Sequence, residues 1–169
     1  MKKMTTQSIR NLAYGAMIAA LYALTTVLLA PISYGDTQFR VSEALTLLPM
    51  LTPAAVPGLF LGCLIANLLG SGVWYDVIFG SLTTLAAALL TRRLKDKPFL
   101  ASLPPVILNG LIVGGVVYFA YEYTPGAPVS AAQLLLTMGS VALGEAVACC
   151  VLGVILMKAL RKLPDKILN

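Results

Sequence analysis

Long apolar runs, separated by short polar stretches, dominate this 169-residue chain. A run of about 20 apolar residues can cross a bilayer as a helix, because a helix satisfies its own backbone hydrogen bonds. The runs are continuous rather than alternating, which disfavours barrel strands. We therefore expect an all-α membrane protein. Four spans are delimited directly: Leu12–Ala30, Val77–Thr91, Pro104–Tyr121 and Ala131–Leu156.

The remaining apolar run, Val41–Leu69, is interrupted by Pro49, Pro53 and Pro57. Proline lacks a backbone donor and crowds the preceding turn, so a helix break is expected within this run. We predict two shorter helices that meet near Thr52 and Pro53. The chain would then contain six transmembrane helices.

The charges give the orientation of these helices. The net charge is +5, and the basic residues occur near both ends of the chain and in the segment from Arg92 to Lys97, with Arg40 as the exception. The positive-inside bias places these regions in the cytoplasm. Both termini are therefore predicted to be cytoplasmic, with three outer segments at Pro31–Arg40, Gly70–Asp76 and Glu122–Ser130. Residues 1–169 are predicted to form a single integral-membrane domain that binds no nucleic acid.

The outer segment around residues 33–43 is unusually polar for a chain with 11% charged residues. It brings Asp36, Gln38, Arg40 and Glu43 between two apolar runs. Ionised groups beside membrane helices usually face a site or a pathway. We interpret this stretch as the edge of a solute-binding pocket that opens to the outside.

The first apolar helix carries small residues at spacings of three and four. Such residues let membrane helices approach closely, where no hydrophobic effect drives association. The pattern fits packing within the chain's own bundle, and it fits docking onto another membrane protein equally. The residues concerned are Ala13, Gly15, Ala16, Ala19, Ala20 and Ala23.

Two strings, Tyr34–Leu45 and Gly72–Val77, make the chain resemble the substrate-binding S-components of energy-coupling factor (ECF) transporters, and more closely their QueT branch. The resemblance covers essentially the whole chain. It implies a subunit of the bacterial cell membrane that binds a queuosine precursor, 7-aminomethyl-7-deazaguanine or a related deazapurine, from outside. It also implies ATP-driven uptake with a transmembrane coupling protein and two cytoplasmic ATPases. Ala16 and Ala20 are then expected to dock on the coupling protein.

The side chains available suit such a ligand. A carboxylate can accept hydrogen bonds from the two adjacent donors of a guanine-like edge, and an amide or guanidinium can donate to its carbonyl oxygen. A second carboxylate can pair with an aminomethyl cation. Aromatic rings can flank the flat base or a cation. The predicted substrate-binding residues are Gln38, Arg40, Glu43, Asn67, Trp74, Asp76, Asn109, Tyr118 and Glu145.

Structural roles compete with binding for most of these residues. Arg40 could pair with Glu43 three residues later, and Asp76 could cap the helix that it begins. Glu145 could pair with an internal amide or with Arg40. Trp74 could belong to the interfacial aromatic belt, and the two asparagines could bridge helices.

Several functional classes are disfavoured. The chain has no histidine and no Walker A motif, which removes His-based triads, His-ligated metals and a built-in ATPase. Its three cysteines form no metal or redox motif. We expect no enzyme activity, no cofactor and no metal. An intramembrane enzyme, an S-component for another vitamin or nucleobase-like solute, and an autonomous carrier remain the alternatives, although paired repeats typical of carriers are not evident.

Overall fold

The computed structural model describes residues 5–34 and 39–162, and the regular structure of these residues is helical. Besides a short helical turn at Ala30–Ser33, six longer helical segments follow one another along the chain. They are α1 (Thr6–Leu28), α2 (Val41–Met50), α3 (Ala55–Gly70), α4 (residues 76–93), α5 (Pro98–Glu122) and α6 (Ala131–Leu160).

Three of these helices, α1, α5 and α6, are long and apolar enough to cross a membrane. The apolar helices α2 and α3 are shorter, with 10 and 16 residues. At the rises of 3₁₀ and α helices they span about 20 and 24 Å, less than the roughly 30 Å hydrocarbon core. An all-helical membrane protein is thus confirmed, whereas six complete crossings and cytoplasmic termini stay predictions.

The helix ends differ from the predicted ones where polar residues continue a helix. We expected the first helix to begin at Leu12, but α1 begins at Thr6, and the Thr5 side chain accepts a hydrogen bond from the Ser8 amide. This cap satisfies an otherwise unpaired donor, so the helix extends through its polar first turns. The last helix continues to Leu160, past the predicted end at Leu156.

The predicted proline break is confirmed, since helical structure is interrupted between Met50 and Ala55. The geometry before the break was not predicted: α2 is a 3₁₀ helix throughout its ten residues. With three residues per turn, side chains three apart lie above one another. Glu43 and Thr46 therefore share one edge of α2, and Arg40 precedes the helix as its N-cap.

Small residues bring α1 and α3 into close contact. A methyl group added at Gly58 would lie 2.7 Å from the Gly15 carbonyl oxygen, and one at Gly62 would lie 2.9 Å from the Ala19 carbonyl oxygen. Part of the small-residue face of α1 is therefore used inside the chain's own bundle. The main apolar core lies beside this contact and includes Tyr22, Leu47, Leu59, Cys63 and Met157.

Wide π-helical turns interrupt the later helices at four places. They lie at Asp76–Gly80 in α4, Asn109–Val113 and Tyr118–Glu122 in α5, and Val147–Gly153 in α6. Such turns often occur at functional sites, because the extra residue re-aims the side chains around it. Asp76 and Asn109, two predicted binding residues, each begin one of these turns.

Candidate functional site

Six of the predicted binding residues form one buried polar cluster. They come from five consecutive segments: the N-cap and first turn of α2, then α3, α4, α5 and α6. Each side chain is at most 4% exposed. The members are Arg40, Glu43, Asn67, Asp76, Asn109 and Glu145.

The first part of the cluster, here called the ion-pair group, consists of Arg40, Asn67 and Asp76. The Nη2 atom of Arg40 lies 2.9 Å from Oδ2 of Asp76. The Nδ2 atom of Asn67 donates to the backbone oxygen of Asp76 at 3.0 Å, which links α3 to α4. Gly80 lets the backbone pack closely against this pair, because a methyl group at this position would lie 2.7 Å from Oδ1 of Asp76.

The second part, here called the acidic group, consists of Glu43, Asn109 and Glu145. The Tyr22 hydroxyl of α1 donates to Oε1 of Glu43. The Cys149 thiol lies between the two glutamates, 3.5 Å from the Glu43 backbone oxygen and 3.6 Å from Oε2 of Glu145. The Asn109 amide lies beside Glu145, but its Nδ2 atom makes no hydrogen bond of normal geometry to that carboxylate. The acidic group therefore joins α2, α5 and α6.

Four buried polar atoms of the cluster make no hydrogen bond. Such atoms are rare in folded proteins, because an unpaired buried group has lost its water without gaining a partner. Three are acceptors and one is a donor. They are Oε2 of Glu43, Oδ1 of Asn67, Oδ1 of Asp76 and Nδ2 of Asn109.

The charges of the cluster are unbalanced. It contains three carboxylates and one guanidinium, and the guanidinium directly contacts Asp76. Glu43 and Glu145 are close enough to interact electrostatically with each other and with Arg40. Since charges act over longer distances in a medium of low dielectric constant, the two glutamates favour a positive partner.

Two other predicted binding residues, Trp74 and Tyr118, lie outside the cluster. Trp74 is 60% exposed, and its ring stacks on Tyr75 with 3.8 Å between centroids. Tyr118 is buried, but its hydroxyl accepts a hydrogen bond from the amide of Ser130, which directly precedes α6. Gln38, like Asp36, lies outside the described residues.

Two of the competing structural roles are revised. The Asp76 carboxylate contacts Arg40 and does not act as the helix cap, since the N-cap position belongs to Tyr75 and has no side-chain hydrogen bond. The ion pair of Arg40 reaches Asp76, 36 residues away, rather than spanning one turn to Glu43. The expected helix bridging by Asn67 is confirmed by its bond to α4.

Sequence reasoning missed Tyr22, Thr26 and Cys149. Tyr22 and Thr26 both connect α1 to α2, through Glu43 and Ser42 respectively. A signal was present, because these are two polar side chains four residues apart on one face of an apolar helix. Cys149 gave no signal, since cysteine in an apolar run behaves as a small hydrophobe.

The site offers hydrogen bonding and charge. Among the described residues, no group of three or more Cys, Asp or Glu side chains is placed to hold a metal ion.

An open groove of about 420 Å³ lies between α4 and α5, lined by residues such as Tyr75, Phe79 and Phe119. None of the carboxylates lines it, so the polar cluster is a separate, closed feature.

Comparisons with known proteins identify the family of the chain. A family model described as QueT transporter matches residues 12–162. The "Queuosine precursor transporter QueT" of Lactococcus lactis subsp. cremoris (strain MG1363) is 35% identical over an alignment of 179 positions, which covers 98% of each chain. No solved structure matches the chain. The chain therefore belongs to the QueT transporter family: it is a multi-pass transporter of the cell membrane and not an enzyme.

Proposed function

We propose that this chain is the substrate-binding subunit of an ECF-type importer, which binds a queuosine precursor from outside for ATP-driven uptake. Residues 1–169 form one membrane domain with six crossings and cytoplasmic termini. The observation that carries the proposal is the buried cluster with unpaired atoms, found in a member of the QueT transporter family whose relative is named for this solute. Binding without catalysis is what such a cluster provides.

The unpaired atoms suit a deazaguanine. A guanine-like edge presents a ring N–H and an exocyclic amine beside a carbonyl oxygen. The free oxygen of Glu43 can accept from the donors, and the free Nδ2 of Asn109 can donate to the carbonyl. The remaining carboxylate of the acidic group, Glu145, suits an aminomethyl cation such as that of 7-aminomethyl-7-deazaguanine.

Access to this cluster requires the outer segments to move. Since the carboxylates are at most 4% exposed, a solute reaches them only when neighbouring segments part. The outer segments Pro31–Arg40, Gly70–Asp76 and Glu122–Ser130 admit the solute and close over it. Trp74 and Tyr118, which lie near these segments, offer aromatic surface to the entering solute. Gln38 offers an amide for hydrogen bonding.

Binding to the purified full chain tests this assignment. The probes are 7-aminomethyl-7-deazaguanine, guanine and vitamins such as riboflavin and biotin, measured by calorimetry in detergent. We expect saturable binding of the deazapurine and no binding of the vitamins. Glu43→Gln and Glu145→Gln should weaken it about tenfold or more, as for removal of one partner of a buried charge pair.

The matched control is Glu122→Gln. Glu122 is a half-buried carboxylate at the outer end of α5, where it accepts hydrogen bonds from Thr137 and lies apart from the cluster. Its replacement should leave deazapurine affinity unchanged. Unchanged affinity in both Glu145→Gln and Asp76→Asn would show that the assigned site is wrong.

The exposed part of α1 supports docking on a transmembrane coupling protein that carries two cytoplasmic ATPases. Gly15 and Ala19 are used against α3, whereas Ala16 and Ala20 are exposed on the surface of α1. Small exposed residues four apart allow another membrane helix to approach closely. The surrounding surface contacts lipid.

Copurification with the coupling protein and the ATPases tests this docking. Ala16→Leu with Ala20→Leu should abolish copurification, because the added volume prevents close helix contact. The control is Ala86→Leu, which places the same bulk on an exposed alanine of α4. Substrate uptake into liposomes by the chain alone would contradict the importer assignment and favour an autonomous carrier.

A further inference from the structure

The two carboxylate-containing groups of the site differ in charge balance. In the ion-pair group, Asp76 lies 2.9 Å from the Arg40 guanidinium, and this pair is neutral overall. In the acidic group, the Cys149 thiol contacts the Glu43 backbone oxygen and the Glu145 carboxylate, and the neutral Asn109 amide lies beside Glu145. The two glutamates thus share Arg40 only at longer range.

The acidic group also presents an unpaired acceptor and an unpaired donor. The free oxygen of Glu43 belongs to a side chain that is 1% exposed, and the free Nδ2 of Asn109 to one that is 3% exposed. The other Glu43 oxygen is fixed by the Tyr22 hydroxyl, so the free oxygen is held in place. A ligand that both donates hydrogen bonds and carries positive charge would complete this group.

We infer that Glu43 and Glu145 form a cation-selecting subsite, so that the protein takes positively charged deazapurines in preference to neutral ones. Asp76 takes no part in this selection, because Arg40 already balances its charge. The inference rests on the proposed function and specifies the charge of the ligand and the residues that select it.

The experiment compares three ligands that differ at one substituent. 7-Aminomethyl-7-deazaguanine is a cation, whereas its N-acetyl derivative and 7-cyano-7-deazaguanine are neutral. Calorimetric titration of the purified full chain should give at least about tenfold tighter binding of the cation than of either neutral ligand, as expected for one buried charge pair. This comparison uses the unmodified protein and does not depend on a variant folding.

Variants then identify the residues that cause the preference for the cation. Glu145→Gln should remove most of the preference for the cation by weakening its binding about tenfold, while the affinity for the nitrile changes by less than about threefold. Glu43→Gln should reduce the preference and also weaken the nitrile, since it contacts the base as well. Asp76→Asn leaves both glutamates in place, so it should change the ratio of the two affinities less than Glu145→Gln does, and Glu122→Gln serves as a second control.

The outcomes separate the two claims. Equal affinity for the cation and the neutral ligands would overturn the inference and leave the proposed function standing. The inference would also be overturned if Asp76→Asn abolished the preference for the cation while Glu145→Gln retained it. Failure of the folded wild-type protein to bind any of the three ligands would overturn the proposed function, and the inference with it.

Discussion

The ion-pair group and the acidic group lie in one cluster, yet their buried carboxylates have different partners. In the ion-pair group the carboxylate of Asp76 faces a guanidinium and its backbone oxygen faces an amide. In the acidic group the Glu43 carboxylate accepts from a hydroxyl and the Glu145 carboxylate lies beside a thiol and an amide, none of which is cationic. A neutral, bonded pair holds helices together, whereas an unbalanced group is suited to a ligand.

The comparison predicts that removal of Arg40 has the largest effect on stability. Arg40→Ala should lower the free energy of unfolding by about 3–5 kcal/mol, because it leaves the buried Asp76 carboxylate without its partner. Thermal unfolding of the detergent-solubilised protein measures this loss. Arg93→Ala, at an exposed position in the last turn of α4, should cause no measurable loss.

A double variant sharpens this first test. Arg40→Met combined with Asp76→Leu removes both charges together and should recover much of the lost stability. If the double variant were as unstable as the sum of the single variants, the two side chains would not act as a pair.

Tyr22→Phe tests the hydrogen bond that anchors the acidic group to α1. Loss of the hydroxyl donor to Glu43 should cost about 1.5–3 kcal/mol, the range for a bond to a charged group. Unfolding in detergent again provides the measurement. Tyr123→Phe is the control, because its hydroxyl donates only to the Ala127 carbonyl at an exposed position and should cost clearly less.

Gly80→Ala tests how tightly the ion-pair group is packed. The added methyl group would lie 2.7 Å from Oδ1 of Asp76 and 3.0 Å from Nδ2 of Asn67, so overpacking should cost about 1–3 kcal/mol. Gly139→Ala in α6 meets no atom within 4 Å and should be neutral or stabilising. Equal effects of the two variants would mean that Gly80 is not packed against the pair.

Glu145→Gln should have the smallest effect on stability and the opposite sign. Without ligand it removes one of two neighbouring buried carboxylates, so stability should stay equal or rise by up to about 1 kcal/mol. Asp76→Asn, measured in parallel, should be destabilising because it weakens the bond to Arg40. A large destabilisation by Glu145→Gln would mean that the acidic group stabilises the fold as the ion-pair group does, which contradicts the comparison.

Much of the site could be predicted because a buried charge in an apolar chain is conspicuous. Glu43, Asp76, Asn109 and Glu145 were all identified as polar residues next to or within apolar runs, and the structure brings them together. Tyr22 and Cys149 were not identified, because their side chains are compatible with an ordinary apolar core. The partner of Arg40 could not be predicted: local spacing allowed a pair with Glu43, but the structure places Asp76 against Arg40.

The sequence by itself determined the helical membrane class, the proline break near Thr52 and Pro53, and the residues whose charge requires an explanation. These follow from composition and short-range pattern, since apolar length and missing backbone donors act locally. Only the tertiary structure decided which carboxylate is neutralised and which atoms remain unpaired. Those properties depend on distances between helices: Arg40 at the N-cap of α2 contacts Asp76 of α4, and the glycine contacts bring α1, which carries Tyr22, close to α3.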